Sequence, residues 1–297
     1  TTKNWKVQYY SNDADIATTG SYVCGTPHTK PNMDRYITLT VAKDSAIKLN
    51  FKAAAAATPV RIVSGSNTQD ITVGTDWFDS NWPGTFTVTA GSTTMTIYGD
   101  LTDFSCSGNY ANLTAIDLSH NTQLQRLWCY SNQLTSLDVS KNTQLAYLSC
   151  YSNTLSSLDV SQNTELDWVN CSDNKLSSLD VSKNTKLWFL YCYGNNFSTA
   201  TLDDIYCSLP DRKSKEKGFI YPVYNSSSSN HATVLATNKA NAIAKNWDVQ
   251  YYDGDTDIPP TTGTYECSAT TDISEASAEP ALTLYPNPVA DVLYLSA

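Results

Sequence analysis

A 21-residue period constrains this chain more than any other feature. LQRLWCYSNQLTSLDVSKNTQ begins at Leu124, LAYLSCYSNTLSSLDVSQNTE at Leu145, LDWVNCSDNKLSSLDVSKNTK at Leu166 and LWFLYCYGNNF at Leu187. A degenerate copy, LTDFSCSGN, begins at Leu101 and resumes its pattern at Leu113 after two extra residues. A unit this short cannot bury its own apolar face, so the copies must stack and share one core.

Each column of the repeat then has a physical task. Leu127, Leu148, Val169 and Leu190 alternate with residues of another character and should point inward from short parallel strands. Leu134, Leu155, Leu176 and Phe197 turn the chain back into the core. Leu137, Leu158 and Leu179, with Val139, Val160 and Val181, line the opposite wall as a second strand or an extended turn. Asn132, Asn153, Asn174 and Asn195 should stack as an amide ladder that satisfies backbone groups at the bend. Cys106, Cys129, Cys150, Cys171 and Cys192 form a thiol column. Strands about 4.8 Å apart would allow a disulfide. Parallel Cβ vectors in register make its torsion poor, so these residues read as small buried hydrophobes.

The pattern L-x-x-L-x-L-x-x-N-x-L, with Cys at its third apolar place, resembles the leucine-rich repeat of the internalin family, and of the internalin J type, whose 21-residue repeats carry a cysteine ladder. It is also similar to leucine-rich surface proteins of Bacteroidetes, in which LTSLDVSKNT is followed by a Cys-containing strand. The resemblance covers roughly residues 95 to 252. It implies a solenoid in a surface protein used for adhesion or host contact.

The flanks differ in pattern. Residues 25–98 hold alternating runs whose inward candidates are Ile37, Leu39, Val41, Ile47, Leu49, Phe51, Ile71, Val73, Phe86, Val88, Met95 and Ile97. Period two indicates an antiparallel sheet or sandwich that caps the repeats of 99–200. In 201–252, Leu202, Ile205, Tyr206 and Leu209 share a helical face, with Asp203 and Asp204 expected in the first turn. Strands from Phe219 to Tyr224 and Trp247 to Tyr252, and a helix from about Asn238 to Lys245, complete an α/β C-terminal cap. The expected class is thus mainly β with minor α, a solenoid between two caps. Residues 253–280, rich in Thr, Ser, Asp, Pro and Ala, read as a linker.

A second duplication has a longer period. KNWKVQYYSNDADIATTGSYVC, from Lys3 to Cys24, matches KNWDVQYYDGDTDIPPTTGTYEC, from Lys245 to Cys267, with one insertion. Residues 1–24 therefore read as the closing segment of a preceding module. Cys24 and Cys267 hold equivalent places, so their mutual pairing is not expected; whether Cys24, Cys207 or Cys267 forms another disulfide is left open. In residues 281–297, Leu284-Tyr285-Pro286-Asn287-Pro288-Val289 followed by Val292 to Leu295 resembles the start of the C-terminal sorting domain of type IX secretion, without its usual continuation.

Composition narrows the function classes. The net charge of -10 argues against a nucleic-acid binder, which needs clustered Lys/Arg to replace counterions. No apolar run approaches the roughly 20 residues of a membrane span. The chain opens on Thr1, so a missing leader says nothing against export to the exterior or the outer-membrane surface. There is no C-x-x-C, and His28, His120 and His231 are scattered, so zinc is not expected. The column Asp117, Asp138, Asp159 and Asp180 lacks the Gly-rich turns of a calcium ladder and reads as exposed carboxylates bonding backbone in the adjoining turns. No G-x-S-x-G, H-E-x-x-H or phosphate loop is present. Neither catalytic residues, metal nor cofactor are expected.

The remaining signal lies beside the inward column. The rows Arg126, Trp128, Tyr130; Tyr147, Ser149, Tyr151; Trp168, Asn170, Ser172; and Phe189, Tyr191, Tyr193 should face outward on the concave side. Eight of these twelve are aromatic, against 11% of the chain, although Leu and Cys already fill the core. Such a strip points to recognition of a protein or a glycan. A structural spacer, whose rings only shield flat strands, is the alternative.

Overall fold

A computed structural model describes residues 30–76 and 86–267. Among them, β1 (Tyr36–Val41), β2 (Ala46–Ala53), β3 (Thr58–Ser64), β4 (Asn67–Val73), β5 (Phe86–Thr89) and β6 (Thr94–Tyr98) form the N-terminal unit. β7 (Leu101–Ser105) and β8 (Leu113–Asp117) belong to the degenerate repeat, and β9 (Arg126–Trp128), β10 (Tyr147–Ser149), β11 (Trp168–Asn170) and β12 (Phe189–Tyr191) follow one per repeat. The C-terminal unit holds α1 (Thr199–Ser208), β13 (Gly218–Val223), α2 (His231–Leu235), α3 (Ala240–Ile243) and β14 (Trp247–Tyr251). The fold is mostly β.

Two sheets organise these strands. One is antiparallel, in the order β4-β3-β6-β1-β8. The other runs β14-β13-β12-β11-β10-β9-β7-β2-β5, parallel from β14 to β7 and antiparallel at β2 and β5. The repeats pair in strict register: Leu127, Leu148, Val169, Leu190 and Ile220 lie side by side. All five are fully buried.

The expected boundary at residue 98 is crossed twice. β7 pairs with β2 on one side and β9 on the other, and β8 pairs with β1. The degenerate repeat thus joins both sheets of the N-terminal unit to the stack. Of the twelve inward candidates there, ten are buried, and Ile71 and Phe86 pack partly buried against the same core. β3 was not anticipated; its Val60 and Ile62 are buried. Beyond β8 the opposite wall contains extended turns rather than strands, the second of the two expected forms.

Two amide ladders tie successive turns. Asn153 Nδ2 donates to the Cys129 and Cys150 carbonyls (3.0 Å each), and its Oδ1 accepts the Leu134 N–H (3.0 Å). Asn132, Asn174 and Asn195 bond the equivalent Cys carbonyls. A second ladder, unrecognised in the sequence, is made by the Asn of each S-x-N-T. Asn142, Asn163 and Asn184 are fully buried, and each donates to carbonyls of the preceding turn. Its signal was present as a further 21-residue column.

The C-terminal unit departs from expectation in three places. Asp203 and Asp204 lie past the first turn of α1, whose N-cap is Ser198; Asp203 is buried and accepts the Asn238 N–H (2.7 Å). The single helix expected over Asn238 to Lys245 is the short α3, preceded by α2. The linker expected from residue 253 is not one as far as residue 267. Ile258 is buried and bonds Val249, Thr262 and Gly263 bond the Leu235 and Thr237 carbonyls, and Cys267 forms a disulfide with Cys207. Trp247 anchors the second copy of the KNW segment: its Nε1 donates to the Pro210 carbonyl (2.8 Å), and a Cβ at Gly218 would lie 2.6 Å from its ring. Residues 1–24, 268–280 and 281–297, with their assignments as an earlier closing segment, linker and sorting segment, lie outside the described residues.

Two outcomes follow. Asn153→Ala orphans the buried Leu134 N–H and should cost about 2–4 kcal/mol by urea denaturation, whereas exposed Gln162→Ala should change stability by under about 0.5 kcal/mol. Replacing Cys207 and Cys267 by Ser opens a loop with a sequence separation of 60, and the same assay should report a loss of roughly 2–4 kcal/mol.

Candidate functional site

Strand alternation sets the site. Because Leu127, Leu148, Val169 and Leu190 point into the core, their neighbours stand on the opposite face of the parallel sheet. Arg126, Tyr147, Trp168 and Phe189 form one column there; Trp128, Ser149, Asn170 and Tyr191 form the next.

The rings on this face stack on each other. Trp128 contacts Tyr147 at 4.6 Å, Tyr147 lies flat on Trp168 at 4.1 Å and 6°, and Trp168 meets Tyr191 at 5.2 Å. Tyr191 stacks on Tyr221 at 4.6 Å, and Phe189 on Phe219 at 5.2 Å. In a parallel row, Tyr130 stacks on Tyr151 at 4.4 Å and 9°. Size alternation permits this path. Ser149 and Asn170 are short and sit low among the rings, with 2% and 9% of these residues exposed.

This arrangement changes the standing of individual candidates. Trp128, Asn170 and Tyr193 are buried on the face rather than projecting from it. Tyr130, Tyr147, Tyr151, Trp168, Phe189 and Tyr191 are half-buried, and Arg126 is exposed. All ten stand on the same side of the parallel strands, away from the Leu column. Sequence reasoning missed its extension onto the C-terminal unit, where Phe219 and Tyr221 of β13 stand in register with Phe189 and Tyr191, and where Tyr224 and Tyr252 join Tyr193. The signal for it is the aromatic run GFIYPVY, which the sequence places in the C-terminal cap.

Charge frames the rings. At the β7 edge, buried Asp103 faces Arg126 at 3.9 Å. Along the strand starts, Lys186 pairs with Glu165, and Lys217 with Asp248 at 3.0 Å. Burial pushes the Tyr147 and Tyr193 hydroxyls up to about 12. Burial, and then the charge of Asp255, raises Tyr191. The phenols are therefore neutral hydrogen-bonding groups at any physiological pH.

The other columns have structural tasks. All five column cysteines are buried free thiols, and burial raises Cys106 and Cys171 to about 12, which suits packing rather than redox or metal chemistry. Asp117, Asp138, Asp159 and Asp180 accept the N–H of Ser119, Ser140, Ser161 and Ser182 at 2.8–2.9 Å. No group of three or more metal-ligating side chains occurs among the described residues.

No protein-family model and no curated protein matches the chain. Among solved structures, the functional domain of InlJ from Listeria monocytogenes, which includes a cysteine ladder, is similar at 27% identity and a TM-score of 0.39, over 51% of this chain and 29% of that one. An internalin (inlF) from the same species is similar at 17% identity and a TM-score of 0.29, over 50% of this chain and 60% of that one. The matched part thus spans under two thirds of either relative. The 21-residue period and the column of buried cysteines are read from this chain itself.

The aspartate column yields a pH prediction. Hydrogen bonds from the Ser140 and Ser161 residues hold Asp138 and Asp159 below the usual carboxylate range. Folded-state pKa values below the unfolded ones give stability that is present above about pH 4 and lost as pH falls through the folded values. Thermal melts at descending pH should show that decline, and Asp138→Asn with Asp159→Asn should flatten it.

Proposed function

We propose that this is an exported, surface-located leucine-rich-repeat binding protein that recognises a protein partner through the ring-lined face of its parallel sheet. The repeat stack acts as a solenoid, and the N-terminal β unit and the C-terminal α/β unit close its two ends. The observation that carries this proposal is the unbroken path of rings from Trp128 to Tyr221 on a face whose other side already holds a complete Leu and Cys core. Rings in such number are not required for packing, and aromatic side chains with a nearby Arg are the residues that dominate protein interfaces.

A protein is favoured over a glycan by how the rings are spent. A sugar stacks on an open ring face. Tyr147 and Trp168 turn their faces toward one another, as do Tyr130 and Tyr151. What they offer outward is ring edges and hydroxyls, which suit side-chain packing and hydrogen bonding. The surface location rests on the repeat resemblance and on the sorting-like segment at Leu284 to Val289. No helix among the described residues is long and apolar enough to cross a membrane. Binding rather than catalysis is the proposed activity, since the sequence carries no nucleophile-and-base pattern.

A screen of the full chain against arrayed surface proteins and arrayed glycans tests this. A protein hit should weaken at least about tenfold when Tyr147 and Trp168 are both replaced by Ala. Equal binding by the two forms would remove the ring face from the proposal. A hit confined to glycans would replace the partner class, and absence of any hit from both arrays would favour a spacer.

A further inference from the structure

The third repeat breaks the pattern at one position. The left-handed residue of each turn is Ser131, then Ser152, then Asp173, then Gly194, with φ of 53°, 52°, 51° and 65°. Only the third copy places a carboxylate there. The following Gly makes room for it: a Cβ at Gly194 would lie 2.2 Å from Asp173 Oδ1. The Asp173 backbone N–H donates to the Tyr193 carbonyl (2.9 Å), which fixes the turn against the next repeat.

This carboxylate opens onto a cleft of about 430 Å³ lined also by Tyr193, Asn195, Tyr224, Ser228 and Asn230. Two of the lining residues are tyrosines, and Tyr252 packs against both. Tyr193 meets Tyr224 at 5.5 Å and Tyr252 at 4.9 Å, and Tyr224 meets Tyr252 at 5.5 Å. Tyr224 and Tyr252 are among the large side chains that remain exposed, at 43% and 40%. No Lys or Arg pairs with Asp173 among the described residues, in contrast to Asp103, Glu165 and Asp248, each of which faces a cation. The shielding of Asp173 by its neighbours raises its pKa, with no opposing charge to offset it. An accessible carboxylate without a counter-charge, in a cleft lined by tyrosines, is a receptor for a positive group.

We propose that this cleft takes a lysine or arginine side chain of the protein partner that lies along the ring face. The proposal rests on the binding function argued above and adds the charge of the partner at one end of that face. The chain's net charge of -10 favours approach of such a partner.

The test uses the full chain and small probes: the Nα-acetyl methylamides of lysine, arginine, norleucine and glutamate. Amide shifts of Asp173, Gly194 and Tyr224 are followed by NMR. The two cationic probes should give saturable shifts with affinity on the order of millimolar, weakening as salt rises. Asp173→Asn should lose at least about tenfold, and Tyr224→Ala severalfold. Asn tolerates the left-handed turn, so Asp173→Asn should melt no lower than the unaltered chain. No saturable shift with either cation, equal shifts with norleucine, or unchanged binding by Asp173→Asn would overturn the proposal. Partner capture lost in the Tyr147/Trp168 variant while these probes fail would sink the cleft alone. Capture unaffected by that variant would sink the ring face, whatever the probes do.

Discussion

Side-chain amides at the bends hold the repeats to one another, and the rest of the molecule depends on them. A strand of three residues forms few backbone bonds, and each turn of the chain leaves peptide groups facing the interior. Asn132, Asn153, Asn174 and Asn195 bond carbonyls on two successive turns at once, and Asn142, Asn163 and Asn184 repeat the device elsewhere in the cross-section. Buried peptide groups without partners are costly, so these contacts set the spacing of the turns. The register of the strands, and hence of everything standing on them, is inherited from that spacing.

Register turns a column in the sequence into a row in space. Because residues 21 apart become lateral neighbours, one ring per repeat becomes a stack without any loop having to place it. The face is therefore rigid in a way that a loop-borne site is not. Its irregularities carry information for the same reason. Ser149 and Asn170 put short side chains among the rings, and Asp173 stands at a turn where the neighbouring repeats place Ser or Gly. A stacked fold makes each such departure a local feature on an otherwise regular surface.

Much of this was legible beforehand. The inward Leu column, the thiol column, the first Asn ladder and the Asp-to-Ser turns all follow from period and residue type, because each task recurs at the same place in every unit. The N-terminal core was readable from strict alternation over Ile37 to Val41, Ile47 to Phe51 and Met95 to Ile97. The second Asn ladder escaped notice although its column was in view, since Asn in a polar S-x-N-T run looks like surface. The segment 253–267 was misread because Thr, Pro and Asp describe composition alone, while Ile258 and Cys267 each find a specific distant partner.

The sequence by itself determined that short units stack in parallel with Leu and Cys inside and a row of rings outside, because only that arrangement buries a 21-residue unit. It also marked the residues of the ring face within the repeats. Tertiary structure alone decided which rings stay accessible, since exposure depends on how far a neighbour's side chain leans across. It alone paired Cys207 with Cys267, carried the face onto Tyr221, Tyr224 and Tyr252, and threaded β7 and β8 into the N-terminal sheets. Those contacts join segments that share no period, and a repeat pattern holds no information about what meets at its ends.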